Sequence, residues 1–298
     1  GISFMMQNIT ALGYFAAWRI LRWLPERFVY SNADKIADYL VRKNGKFTIR
    51  FRSNLQRTQP NITPLDLDLL VYRATRSAFR YWCDTFRFPD WSRERIIGTV
   101  TCNDESILMD AVAAGNGAIV TLPHCGNYDH AAAYFCARGA KIVTVAEHLK
   151  PEKLFKKFMQ YRAEFGMEAL PLDGRVIPTL MQRIRSGCVI ALAADRDLSK
   201  SGIDVTFFGG PARMPAGPAL LAIRTGAPLI NAYVSYTQTG IHIDFTRMEL
   251  PTEGTENERV IALVQKSADL FAQGIAQYPQ DWHMMQRIWI DGDFKDRD

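Results

Sequence analysis

The chain is poor in cysteine and has no framework for what it holds. Its five thiols, Cys83, Cys102, Cys125, Cys136 and Cys188, are scattered without a CxxC pair. An odd, irregular set in a chain of 298 residues argues against a disulfide scaffold and against a zinc site. It reads instead as the reduced thiols of a cytoplasmic protein. No uncharged apolar run reaches the about 18 residues that a spanning helix requires. The start lacks the basic region, apolar core and cleavage site of a secretory signal. There is no GxGxxG and no GxxxxGKS/T motif, so dinucleotide and P-loop folds lose their main support. Internal repeats and low-complexity segments are missing too.

What remains is a globular composition, 48% hydrophobic and 22% charged. A chain this long buries a sizeable core, and only the polar tail 291–298 reads as disordered. The formal net charge of +5 fits an anionic partner, such as nucleic acid, an acidic membrane surface or a phosphorylated ligand. It fits an ordinary soluble surface equally well. No nucleic-acid-binding motif accompanies it.

Two regions differ in pattern. Residues 1–90 read as a helical N-terminal region, with helices expected over 11–24, 31–58 and 65–88. The segment 11–24 has a wide aromatic apolar face, carrying Phe15, Trp18 and Trp23, and a narrow stripe with Arg19 and Arg22. Residues three apart share a helical face. This pattern suits a helix lying at a membrane interface, and also one packed on its own domain. Pro25 ends it. From residue 115 to 290, short apolar strands at 118–122, 141–146, within GMEALPL, at 188–194, 228–236 and 241–246 alternate with helices at 127–138, 151–165, 176–185, 215–225 and 256–278. Alternation of this kind predicts an α/β fold: a mostly parallel central sheet flanked by helices on both faces. The last two strands are close enough for a hairpin. The whole chain reads as one domain, 1–298.

The run LPHCGNYDHA follows the strand 118–122. In open parallel sheets, ligands bind at the carboxyl ends of strands. His124 sits at such an end, and Asp129 lies where the next helix begins. A histidine and an acid on one turn suit a general base and its orienting carboxylate. Asp195 ends the strand 188–194 and competes for the same task, or pairs with Arg196 or Arg213. Cys125 invites covalent catalysis, but its side chain diverges from that of its neighbour His124 at a strand end.

PHCGNYD resembles the motif of a histidine, four residues and an aspartate of the glycerolipid acyltransferase superfamily. Within it, the sequence is similar to the branch of the lipid A lauroyl and myristoyl acyltransferases. It is more similar still to the actinobacterial phosphatidylinositol mannoside acyltransferases. RSNL (52–55), TVAEHLKPEKLFKKFMQYR (144–162), ADRDLSKSGIDVTFFGGPARMPAGPALLAIRTGAP (194–228) and DWHMMQRIW (281–289) carry the resemblance over most of residues 20–290. It implies an α/β domain with the acyl chain buried beside the sheet. It implies an acyl-CoA donor, typically palmitoyl, as co-substrate rather than a bound cofactor, and a mannose hydroxyl of a phosphatidylinositol mannoside as acceptor. It implies no metal. Such an enzyme works as a peripheral protein at the cytoplasmic face of the cell membrane, against an anionic surface. The same chemistry serves a lipid A-type glycolipid acceptor, or hydrolysis of acyl-CoA by water.

The resemblance gives His124 the role of base and Asp129 a place in the motif. It departs at Asp195, where these acyltransferases usually carry the longer glutamate. Arg162, Arg196 and Arg213 are candidates for donor phosphates, since guanidinium grips phosphate through paired hydrogen bonds. Asn127 and Glu147, inside the matched runs, join them as substrate-binding candidates. Lys153, Lys156 and Lys157 read as a solvated face. Gly209 and Gly210 suit either an anion approach or a plain turn.

Overall fold

The computed structural model describes residues 2–146 and 152–292. Glu147 and the tail from 293 lie outside the described residues.

The N-terminal region is four helices, α1 (Ile2–Trp23), α2 (Glu26–Lys43), α3 (Lys46–Thr58) and α4 (Pro64–Arg87). The expected single helix over 31–58 is two, because Asn44 adopts a left-handed conformation (φ 49°) and caps α2. Asparagine tolerates that region better than most residues. α4 starts on a Thr63 cap that accepts from the Asp66 amide, followed by proline at its first position. Its Leu67, Leu70, Val71 and Ala74 recur at helical spacing and are buried with Val41, Phe51 and Leu55. Asn54 on α3 donates to the carbonyls of Met284 and Gln286, which ties the chain's last segment to the N-terminal helices.

α1 corrects part of the sequence reading. Trp18 is buried, within 6 Å of the rings of Phe86, Phe158 and Tyr161. Arg22 makes a bidentate ion pair with Asp90, its closer contact at 2.7 Å. Both belong to the domain. Exposed instead are Ile9, Leu12, Ile20 and Trp23 on α1, Trp23 at 78%, with Phe28, Ile36 and Tyr39 on α2.

After α5 (Arg93–Gly98) come β1 (Val100–Asn103), α6 (Ser106–Ala114), β2 (Ala118–Leu122), α7 (Tyr128–Ala137), β3 (Ile142–Ala146), α8 (Glu152–Glu164), β4 (Met167–Pro171), α9 (Val176–Arg185) and β5 (Val189–Ala193). Then follow β6 (Ile203–Phe207), β7 (Gly210–Met214), α10 (Gly217–Thr225), β8 (Leu229–Tyr236), β9 (Ile241–Met248) and α11 (Glu256–Gln277). Seven strands form one sheet in the order β1-β9-β8-β2-β5-β3-β4. Five run parallel, while β9 turns back on β8 as the expected hairpin and β1 pairs parallel to β9. Helices cover both faces. Phe135 of α7 packs on Phe245, which pairs with Ala232; Gly274 of α11 packs on Tyr233, the next residue and so the other face.

Five elements escaped the sequence reading: α5, β1, α6, β6 and β7. β1 is a four-residue edge strand with only alternate partial burial, and α6 follows it with only Leu108 fully buried. β6 and β7 form a separate hairpin whose two-residue loop, Phe208–Gly209, holds both residues at positive φ (49° and 73°). That geometry is the loop type that matches strand twist. The FFGG glycines therefore make a turn, and Gly210 leaves room for Arg57 and Trp289 to pack against its backbone.

Candidate active site

Strand register brings the site together. β2 and β5 are parallel neighbours with Leu122 opposite Ala193, so His124 and Asp195, each two residues on, leave the sheet at the same height. His124 Nδ1 lies 2.6 Å from Asp195 Oδ1. The His124 backbone amide donates to Asp195 Oδ2 at 3.1 Å, and Trp282 Nε1 donates to the same oxygen at 2.9 Å. Asp195 is fully buried, while the His124 side chain is 40% exposed. Burial alone would push the Asp195 carboxyl up. The charge on His124 and the hydrogen bonds from His124 and Trp282 outweigh it, and hold the group below its ordinary value. An ionised carboxylate accepts only, so Nδ1 carries the proton and Nε2 has basic character.

The turn after His124 needs its glycine. Gly126 sits at φ +50°, and a Cβ there would come within 2.5 Å of the Val234 carbonyl oxygen. Short as it is, the Asp195 side chain reaches His124 directly. Of the two competing carboxylates, it is the one in contact.

Asp129 holds a different partner. It accepts from the Tyr81 hydroxyl at 2.9 Å, and its other oxygen lies 3.5 Å from Arg162 Nε, an ion pair longer than a hydrogen bond. Asp129 is 4% exposed. Its charge raises the Arg162 guanidinium above its ordinary value against the opposing effect of burial. This pair, of a buried carboxylate and a half-buried guanidinium, puts a permanent cation in the wall beside His124.

His124, Asp129, Arg162 and Tyr81 line one cavity of about 850 Å³, within the range of about 300–1,000 Å³ usual for ligand sites. Its body lies under α7 and α8. Val120, Leu122, Ala191, Ala193, Ala232 and Val234 form the sheet side, and Ala131, Ala132 and Phe135 the helix side. Alanines facing alanines cannot fill the space between sheet and helix, which leaves an apolar slot beside the histidine. Arg196, Asp197, Ser199 and Ser201, on the loop after β5, line a more polar part.

The remaining candidates are dispersed. Asn127 is 2% exposed; its oxygen caps α7 through the His130 amide and its nitrogen donates to Asp84, so both ends serve the fold. Arg213 pairs with Asp204 across the β6–β7 hairpin at 2.7 Å. Arg196 lines the cavity and donates to the Arg287 carbonyl at 2.6 Å. Lys156 pairs with Glu152 at the surface, and Lys157 lies over the Trp18 ring. Cys125 is fully buried, its thiol pushed well above its ordinary value by burial. The sequence reading missed Tyr81 and Trp282. Nothing local marks Tyr81, and DWHMMQRIW gave no hint that its tryptophan reaches the end of β5.

A histidine–carboxylate pair at the mouth of an apolar slot in an α/β sheet is what acyl transfer needs, and the chain as a whole agrees. A family model described as bacterial lipid A biosynthesis acyltransferase matches residues 3–290. The chain belongs to that family and is an O-acyltransferase. Among curated proteins, it is 39% identical to the phosphatidylinositol mannoside acyltransferase of Mycolicibacterium smegmatis over 287 residues, 95% of this chain and 92% of that one. It is 38% identical to the phosphatidylinositol mannoside acyltransferase of Mycobacterium tuberculosis over 301 residues, 97% of this chain and 91% of the other.

Proposed function

We propose that this enzyme transfers a fatty acyl chain, palmitoyl by preference, from acyl-CoA to a mannose hydroxyl of a phosphatidylinositol mannoside. The observation that carries the reading is the His124–Asp195 pair opening onto the apolar slot, in a chain whose relatives bear that name. The slot holds the acyl chain with the thioester at its mouth. His124 Nε2 takes the proton of the acceptor hydroxyl as its oxygen attacks the thioester carbon. Asp195 keeps the imidazole in the Nδ1–H form and stabilises the imidazolium. The carbon–sulfur bond breaks, CoA leaves as a thiolate, and the proton on His124 goes to that sulfur. The sugar ester stays with the lipid. Arg162, braced by Asp129, offers positive charge to the oxyanion or to the donor's phosphates.

The test compares acceptors with palmitoyl-CoA as donor. Esterification of a mannosylated phosphatidylinositol, seen by mass spectrometry, should exceed esterification of a lipid A precursor and release of free palmitate by at least about tenfold. Preference for the lipid A precursor would assign another acceptor; free palmitate as the main product would make the enzyme a thioesterase.

Among the described residues, no helix is long and apolar enough to cross a membrane. A lipid acceptor nevertheless requires contact with a bilayer, and the exposed apolar residues of α1 suit it. Arg22 is committed to Asp90, so a charge reversal there would test the ion pair rather than an anchor. Leu12 and Trp23, at 67% and 78% exposure, are the better probes. We expect Leu12→Glu/Trp23→Glu to keep its melting temperature and to lose most flotation with vesicles containing phosphatidylinositol. Unchanged flotation would remove α1 from the membrane contact.

A further inference from the structure

The chain's last segment runs back to the active site. Residues 281–283 lie antiparallel to 124–126: the Gly126 amide donates to the Asp281 carbonyl and the His283 amide to the His124 carbonyl, both at 2.8 Å, with Cys125 and Trp282 bridged between them. The backbone of the catalytic histidine is thus clamped by this returning segment. Trp282 is fully buried and absent from the cavity wall, so it touches no substrate. Its ring is held edge-on by Phe207, at 6.0 Å, and Trp289, at 6.2 Å. Its only polar atom donates to Asp195 Oδ2.

We infer that Trp282 is a positioning residue for the transfer reaction: its indole N–H fixes the buried Asp195 as an ionised acceptor aimed at His124. The inference rests on the proposed role of His124 as base. Its physical ground is the isolation of Asp195. With no exposure to water, the carboxylate keeps its charge through the charge on His124 and through donors, which are the ring and backbone N–H of His124 and the indole of Trp282. A donor from a second chain segment also fixes the carboxylate's rotation, because His124 and Trp282 hold its two oxygens in different directions. The other titratable groups facing the pair do not substitute. Cys125 and Tyr233 are pushed far up by burial and stay neutral, as does His283, lowered to about 3. Asp281 bonds Ser77 and the Tyr236 amide, and the Tyr128 ring lies edge-on to that of His124 at 6.3 Å.

The sign of the pH effect follows. The deprotonated pair carries one negative charge and the protonated pair none. Removing the indole donor destabilises the charged form more, so the pair holds its proton to higher pH. In Trp282→Phe, the acidic limb of the kcat profile should move up by about one pH unit, as loss of a hydrogen bond to a charged group implies. Near neutrality kcat should fall about tenfold with KM for the donor little changed, and recover partly at higher pH. In an Asp195→Asn background the same substitution should cost almost nothing further. A purely structural tryptophan would lower folded yield without moving the limb and would add its cost to Asp195→Asn. Either result overturns the inference. His124→Ala run beside it separates the layers: if that variant stays active, the base assignment falls and takes Trp282 with it; if it is inactive while the Trp282→Phe limb is unshifted, only Trp282 falls. Should Trp282→Phe not fold, the unmutated chain serves, with nitrogen-15 in its six tryptophans. One indole N–H resonance should titrate with the midpoint of the acidic limb and lie flat in His124→Ala; six flat resonances refute the proposal.

Discussion

His124→Ala should lose about two to four decades of acyl transfer, on the order of 3–5 kcal/mol of barrier, and still fold. Both halves follow from the site. His124 is the titratable group at the slot mouth whose ring is oriented by a buried carboxylate, so its removal leaves the acceptor hydroxyl with no comparable base. Yet its side chain is 40% exposed, and its backbone bonds to Asp195 and His283 survive truncation. The melting temperature should therefore change little. The measurement is initial rate against mannosylated phosphatidylinositol at equal folded concentration. Turnover near that of the parent would place the base elsewhere.

Asp195→Asn should cost nearly as much, about two to three decades in kcat, with little change in KM for the donor. The carboxylate accepts from three donors and donates to none. Asparagine has one acceptor oxygen, and its amide must face either the His124 ring or the Trp282 indole with a donor. The imidazole is then driven toward the other tautomer, with its proton on Nε2, where a base cannot have it. Asp129→Asn should behave differently. It weakens the brace on Arg162 and leaves a half-buried guanidinium underpaired, so its loss should appear in stability and in donor affinity. Initial rates and melting curves for both variants decide. Equal kcat in Asp195→Asn and the parent would remove carboxylate orientation from the mechanism.

The α/β half was legible because its strands are short continuous apolar runs punctuated by helices, and β5, buried at its start and apolar throughout, is typical of them. The hairpin of β8 and β9 was legible from spacing. β1 was not, since an edge strand of four half-covered residues carries no period to detect. The break at Asn44–Gly45 was passed over because the amphipathic pattern continues across it. At the site, His124 could be read from its place after β2. The choice between Asp129 and Asp195 could not, since it depends on the register of β2 against β5. Trp282 lies 87 residues from the carboxylate it serves, and Asn127 looked functional only because a cap and a ligand use the same side chain. Likewise, α1 showed an aromatic face, but which tryptophan it buries depends on α4 and α8.

The central claim is that the acceptor hydroxyl, activated by His124, attacks the thioester directly. Mixing the enzyme with excess palmitoyl-CoA, then adding mannosylated phosphatidylinositol while following intact protein and lipid by mass spectrometry, tests it most directly. The expected result is an unmodified protein mass and little CoA release before the acceptor arrives, then one CoA released for each ester formed on mannose. A palmitoylated protein that builds up before the acceptor is added, or CoA release as free palmitate at a rate indifferent to the acceptor, would contradict it.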